Sequence, residues 1–354
     1  MAPRTTVALV FGGRSGEHEI SLRSAASVAQ ALSLRYAVLP LLIDREGGWW
    51  AQSGPGVSEH GGERAFLVPS PDDRGALRRL ADSTVLARPD VYFPVLHGPY
   101  GEDGTIQGLF ELAGVPFVGS GTAASAAAMD KVLMKGLFAA AGVPQADYRV
   151  LLAPRRAEAA ALVAPLGWPV FVKPANLGSS VGVSKVKRAE ELPPALEAAF
   201  AYDRKVVVEA GIDAREIELS VLGNDDPRAS VPGEVVPDRE FYDYDSKYSA
   251  ESRTELRIPA PLHSAAVREV EEMGVRAFQA VDASGYARID FLVERKSGRV
   301  LVNEINTIPG FTSISMFPKL WEASGIPYDE LLARLVDLGL ERHRQRSTLR
   351  TDYR

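Results

Sequence analysis

Residues 285–311 read GYARIDFLVERKSGRVLVNEINTIPGF, and the way this stretch pairs with itself decides the fold. Two apolar runs flank Lys296-Ser297-Gly298, a three-residue hairpin loop with glycine last. That loop sets Arg295 opposite Arg299, Asp290 opposite Glu304 and Arg288 opposite Asn306. Residues two apart share a strand face, so the last four side chains lie together. Opposed carboxylates repel, and on strands this apolar they need a cation between them. Arg288 supplies part of it. Asp, Glu and Asn offer only oxygen, which suits Mg²⁺ or Mn²⁺ rather than zinc. Such an ion keeps positions open for phosphate oxygens, so Asp290, Glu304 and Asn306 point to a nucleotide site. The competing reading is a solvated edge ribbon, and a one-residue register slip would also disperse the group.

Working outward, Val7 to Phe11, Ala37 to Ile43 and Asp90 to Leu96 are apolar runs of the kind found in parallel sheets. Ser21 is expected to cap a helix on Leu22, Ala25, Ala29 and Leu32. Residues 44–64 read as turns and loop. A domain boundary is placed near Gly119-Ser120-Gly121. One helix is expected over roughly 123–141, then short strands at 170–173, 181–186 and 206–209, and helices near 265–281 and 329–342. The tail RHRQRSTLRTDYR carries five arginines and one acid and reads as a solvated, mostly disordered end.

No G-x-x-x-x-G-K-[ST] or G-x-G-x-x-G occurs, which argues against a P-loop protein and a NAD-dependent oxidoreductase. FVKPANLGSSVGV, 171–183, ends a strand at Lys173 and continues into a Gly-Ser turn. Such a turn can close over phosphates, or it can be a plain hairpin. GGRSGEHEIS and HGPYGEDGTIQG place Glu17 and His97 at the ends of strands, where open α/β sheets bind ligands. In the first of these, a charged helical turn is the alternative.

The bulk numbers set the bounds. A chain of 354 residues suggests two or three domains, and 46% hydrophobic with 24% charged residues is ordinary for a water-soluble protein. A net charge of −6 gives no footprint for nucleic acid or membrane surfaces. The absence of cysteine and of a leader-like segment fits a cytoplasmic location.

Four segments together, GGRSGEHEIS, HGPYGEDGTIQG, KPANLGSSVGVSKV and RIDFLV…VNEINTIPGFTSISMFP, resemble the D-alanine–D-alanine ligases of the ATP-grasp superfamily. The resemblance runs over most of residues 5–340. It implies an α/β ATP-grasp fold of three α/β domains, the first Rossmann-like, with ATP between the central and C-terminal ones. The divisions expected are 1–119, 120–209, 210–345 and a basic tail, 346–354. It implies ATP and two Mg²⁺ (or Mn²⁺) as cofactors, D-alanine as substrate, an acyl-phosphate route for peptidoglycan precursors, and a homodimer.

By the same resemblance Asp290, Glu304 and Asn306 are metal ligands, and Lys131, Lys173 and Lys247 contact phosphates. Glu209, Ala210 and Ile212 fall on the adenine hinge, and Glu216 on the ribose. Glu17, Ser179 and Tyr248 hold the first D-alanine, His97 lies near its carboxylate, and Ser315 and Met316 hold the second. Arg288 and the Gly310 N–H face the oxyanion. Tyr248 favours the dipeptide over D-alanyl-D-lactate. Another ATP-grasp ligase, or a nucleotide-binding regulator on the same scaffold, remains the alternative.

Overall fold

The computed structural model describes residues 4–237, 254–312 and 314–350. Three sheets organise them. In the first, β1 (Thr6–Gly12) lies between β2 (Ala37–Ile43) and β7 (Val91–Pro94), parallel to both. Four short antiparallel strands extend it: β3 (Trp49–Ala51), β4 (Glu63–Leu67), β5 (Leu77–Arg79) and β6 (Val85–Ala87). The expectation of turns and loop over 44–64 is therefore corrected. Three-residue strands are too short to show a period, and β3 is fixed instead by side chains. Trp50 Nε1 donates to Asp44 at 2.7 Å and Arg64 stacks 4.8 Å from the Trp50 ring centroid.

Helix α1 spans His18–Leu32, so Ser21 lies inside it and does not cap it. The buried Ser21 hydroxyl accepts from Gly12 N at 2.7 Å and donates to the Val95 carbonyl. A tertiary partner has outcompeted the local cap. Helix α2 (Thr105–Leu112) follows.

The single helix expected over 123–141 is two, α3 (Thr122–Met129) and α4 (Lys131–Ala140). They break at Asp130, whose carboxylate accepts from Val132 N at 3.0 Å and Leu133 N at 3.2 Å. An acid satisfies the first free N–H groups of a new helix, and the break redirects α4 so that Lys131 and Lys135 are buried.

The second sheet is antiparallel in the order β10-β9-β11-β8, from β8 (Tyr148–Leu152), β9 (Val170–Pro174), β10 (Ser184–Val186) and β11 (Lys205–Ala210). Helices α5 (Ala159–Val163) and α6 (Leu192–Phe200) cover one face, with Val163, Leu196 and Ala199 buried against Val170 and Val206.

The third sheet holds β12 (Ala214–Gly223), β13 (Arg228–Ala229), β14 (Gly233–Val236), β15 (Glu255–Arg257), β16 (Gly285–Glu294) and β17 (Val300–Asn306). Helix α7 (Ser264–Ala280) lays Val270, Ala277 and Phe278 on it. Helices α8 (Met316–Ala323) and α9 (Tyr328–Ser347) return to the first sheet. There Leu331, Leu335 and Val336 join Val7, Phe93, Tyr286, Phe311 and Phe317 in one core.

The reading of the tail as disordered is overturned for its first residues, since α9 continues to Ser347. Arg342 and Arg346 reach Glu111 at 3.1 and 2.6 Å, and Arg342 stacks 4.7 Å from the Phe117 ring centroid. Composition alone hides an acid that is distant in sequence.

Candidate active site

The hairpin sets Asp290 opposite Glu304 and Arg288 opposite Asn306, as expected. It reaches that register by another route. Near the loop, Val293 faces Val300 and Glu294 N donates to Arg299 O, so Arg295 does not face Arg299. A β-bulge then inserts one extra residue, Asn303, between Val302 and Glu304. The two one-residue deviations cancel. The bulge also brings two successive side chains toward the same side, and Asn303 Oδ1 stands 3.4 Å from Lys173 Nζ.

Arg288 donates twice to Asp290, at 2.7 Å each, and its Nε lies 3.1 Å from Glu218. Asn306 Nδ2 is 3.1 Å from Asp290 Oδ2. Among the described residues no three His, Cys, Asp or Glu side chains form a metal cluster, and the third donor here is an amide. The donor set fits a hard divalent cation: two opposed carboxylates with an amide whose oxygen reaches the same point on rotation.

Above the hairpin lies a cleft of about 730 Å³, walled by the second and third sheets. It is lined by Lys131, Lys173, Glu209, Ala210, Ile212, Glu216, Asp290 and Glu304, so two of the expected phosphate lysines, the adenine and ribose residues and two of the three expected metal residues converge, while Asn306 lines a smaller pocket with Lys131 and Glu304. Lys131 donates to Leu177 O at 2.6 Å and stands 3.9 Å from Glu304. Burial lowers its pKa, partly offset by Glu304. Lys173 is buried too, which lowers its pKa, but Glu209 and Glu304 outweigh this and the net shift is upward. Glu209 receives Lys173 at 2.6 Å and Lys135 at 3.0 Å. Burial alone would raise the Glu209 carboxyl, yet the two lysines take it to about 2. Its side chain is thus an anchor for two lysines.

The turn after β9 brings the Ser179 hydroxyl onto Glu17, 162 residues away, with Ser179 and Ser180 in the left-handed region. Tyr248 and Lys247 lie outside the described residues. His97 is buried, with Nδ1 2.9 Å from Ile308 O and Nε2 3.2 Å from Ser24 Oγ. Ser24 Oγ also accepts from Phe311 N at 3.3 Å. Both ring nitrogens of His97 therefore meet protein groups, and the Ile308–Phe311 segment carrying Gly310 is held at both ends. Ser315 and Met316 stand at the start of α8, and the Met316 side chain packs with Val235 and Leu320, leaving backbone for a ligand.

Sequence reasoning did not select Lys135 or Asn303, and it placed Glu102 with His97 at a ligand-binding strand end without giving it a role. Lys135 follows Lys131 by four, one turn along the same helix face, which was a usable signal. Asn303 had none, because a bulge is invisible to a period of two. Glu102 lies beside Lys131, Glu304 and Asn306, where burial first and Glu17 second push its carboxyl up to about 8.

Family models for the D-ala D-ala ligase N-terminus and C-terminus match residues 6–120 and 137–337. The D-alanine--D-alanine ligase of Heliobacterium modesticaldum is 53% identical, over 99% of this chain and 98% of its own. D-alanine--D-alanine ligase A of Bradyrhizobium diazoefficiens is 48% identical over the full length of both. Among solved structures, the Coxiella burnetii D-alanine-D-alanine ligase superposes with a TM-score of 0.86 at 34% identity, over 98% of this chain and 97% of that one. The VanG D-Ala:D-Ser ligase of Enterococcus faecalis gives 0.85 at 32%, over 95% and 99%.

Proposed function

Because the chain belongs to the D-alanine–D-alanine ligase family, we infer that its cleft joins two D-alanines at the expense of ATP, giving D-alanyl-D-alanine for cell-wall precursors. The observation that carries this is the convergence of Asp290 and Glu304 with Lys131 and Lys173 in one cleft, with Asn306 3.1 Å from Asp290.

A carboxylate is a poor acyl donor, since its leaving group would be oxide. Phosphorylation by ATP activates it: the first D-alanine carboxylate oxygen attacks the γ-phosphorus and ADP leaves. Lys131 and Lys173, with Lys247, hold the phosphates and screen the approach of one anion to another. Asp290, Glu304 and Asn306 would hold Mg²⁺ or Mn²⁺, two ions on the family pattern, which when bound offset phosphate charge. Glu17 holds the first ammonium, and Ser179 and Tyr248 complete that contact.

The second amine then attacks the acyl carbon and phosphate leaves. Arg288 and the Gly310 N–H face the oxyanion, and the N-terminus of α8, at Ser315 and Met316, receives the second carboxylate. Glu209, Ala210 and Ile212 contact adenine, and Glu216 the ribose. His97 acts by fixing the Gly310 loop. The working protein is a cytoplasmic homodimer, divided near 119 and 209. Among the described residues no helix is long and apolar enough to cross a membrane.

Phosphate release measured in parallel with D-alanine, L-alanine, D-lactate and D-serine, with and without Mg²⁺, tests the proposal. Release with D-alanine alone, abolished by EDTA and restored by Mg²⁺, is expected. Metal-independent turnover, or release only when D-lactate or D-serine is added to D-alanine, overturns it.

A further inference from the structure

Lys135 has no place in the steps above, yet it is among the most deeply buried charges of the described residues, at 1% exposure. Its ammonium lies 3.0 Å from Glu209 Oε1 and 5.2 Å from the Tyr148 ring centroid. Glu209 Oε2 is taken by Lys173 at 2.6 Å. One carboxylate therefore gives one oxygen to each of two lysines. Lys173 lines the cleft and reaches on to Asn303 Oδ1, whereas Lys135 stands behind Glu209.

A buried ammonium matched one-to-one with a buried carboxylate is neutral as a pair and attracts phosphate weakly. Two lysines against one carboxylate leave one positive charge over. With Lys135 held behind the acid, that charge is expressed at Lys173, on the cleft side. We propose that Lys135 is a positioning residue for the nucleotide phosphates: it neutralises Glu209 from behind, so that Lys173 keeps its charge and its aim into the cleft. Without it, Glu209 becomes a one-to-one partner of Lys173 and draws the ammonium back, as happens when one member of a buried charge group is removed. The other charges facing this group are Lys131, Glu304 and Glu216, and none touches Lys135 within ion-pair distance.

The inference rests on the ATP reading of the cleft. Its test is calorimetric binding of AMP and of ATP with Mg²⁺ to the full-length protein. Lys135→Met is expected to weaken ATP about tenfold, equivalent to about 1.4 kcal/mol, while AMP changes by less than about threefold. Lys135→Arg, which keeps the charge, should recover most of the ATP affinity. Lys135→Met combined with Glu209→Gln should bind ATP more tightly than Lys135→Met alone, because the acid that traps Lys173 is gone. A merely structural lysine would lower the melting temperature and weaken AMP and ATP alike; that result, or wild-type ATP affinity in Lys135→Met, overturns the proposal. If Lys135→Met fails to fold, the double variant is compared with Glu209→Gln alone. ATP affinities within about threefold support the proposal, and a gap of about tenfold refutes it. Wild-type protein that binds no ATP would overturn the underlying ligase reading instead.

Discussion

At the scale of single residues, charge placement governs the site. Ser179 meets Glu17 across 162 positions, so the carboxylate is oriented before any ammonium arrives. Glu17→Gln removes a charge-assisted hydrogen bond, a loss of about 1.5–3 kcal/mol. It should lower kcat/KM for the first D-alanine by roughly tenfold to a hundredfold. Ser179→Ala should do less, because it leaves the charge in place. Steady-state kinetics at saturating second substrate checks the order of the two.

Glu209 makes the pH prediction. Its folded value of about 2 lies below the ordinary 4.5, so its contribution to stability is complete above that ordinary value and is lost as pH falls toward the folded one. Melting temperatures followed from about pH 5 to about pH 3 should therefore fall more steeply for the native protein than for Glu209→Gln. Parallel curves would refute this. These residues were legible in the sequence as members of motifs. The meeting of Lys135 and Lys173 on Glu209 was not, because they come from α4 and β9 and nothing local records it.

At the scale of elements, the hairpin shows how a correct register can rest on a wrong count. The loop slips by one and the Asn303 bulge restores it. Pattern reasoning located the face because Asp290, Glu304 and Asn306 alternate with buried Ile289 and Ile305. It could not see the bulge, whose extra residue Asn303 stands 3.4 Å from Lys173 Nζ. Helix α1 carries the complementary lesson. Its Ser21 ties the ends of β1 and β7 together instead of capping. Ser21→Ala leaves the buried Gly12 N–H unpaired, which costs about 1–3 kcal/mol. Urea denaturation should show that loss with little change in the slope. An unaltered midpoint would place water or another acceptor at Gly12.

At the scale of the molecule, helix α9 closes the C-terminal part of the chain onto the first sheet. Arg342 is largely buried between Glu111 and Phe117, and Arg346 adds a more exposed pair. A chain ending at Glu341 should melt roughly 2–5 °C lower, and one ending at Thr348 should melt as the full chain does. Equal melting temperatures for all three would return the tail to solvent. The overall superposition does not choose between a D-alanine and a D-serine acceptor, since ligases named for each share this fold. By itself the sequence determined the α/β class, the hairpin face with its metal-type oxygens, and the motifs that place the chain in its family, because each is written in local spacing and alternation. Only the tertiary structure decided where α3 gives way to α4, which residue bulges, what Ser21 binds, and that Lys135 stands behind Glu209. Those outcomes turn on partners far apart in sequence, whose burial raises the strength of every charge and hydrogen bond they share.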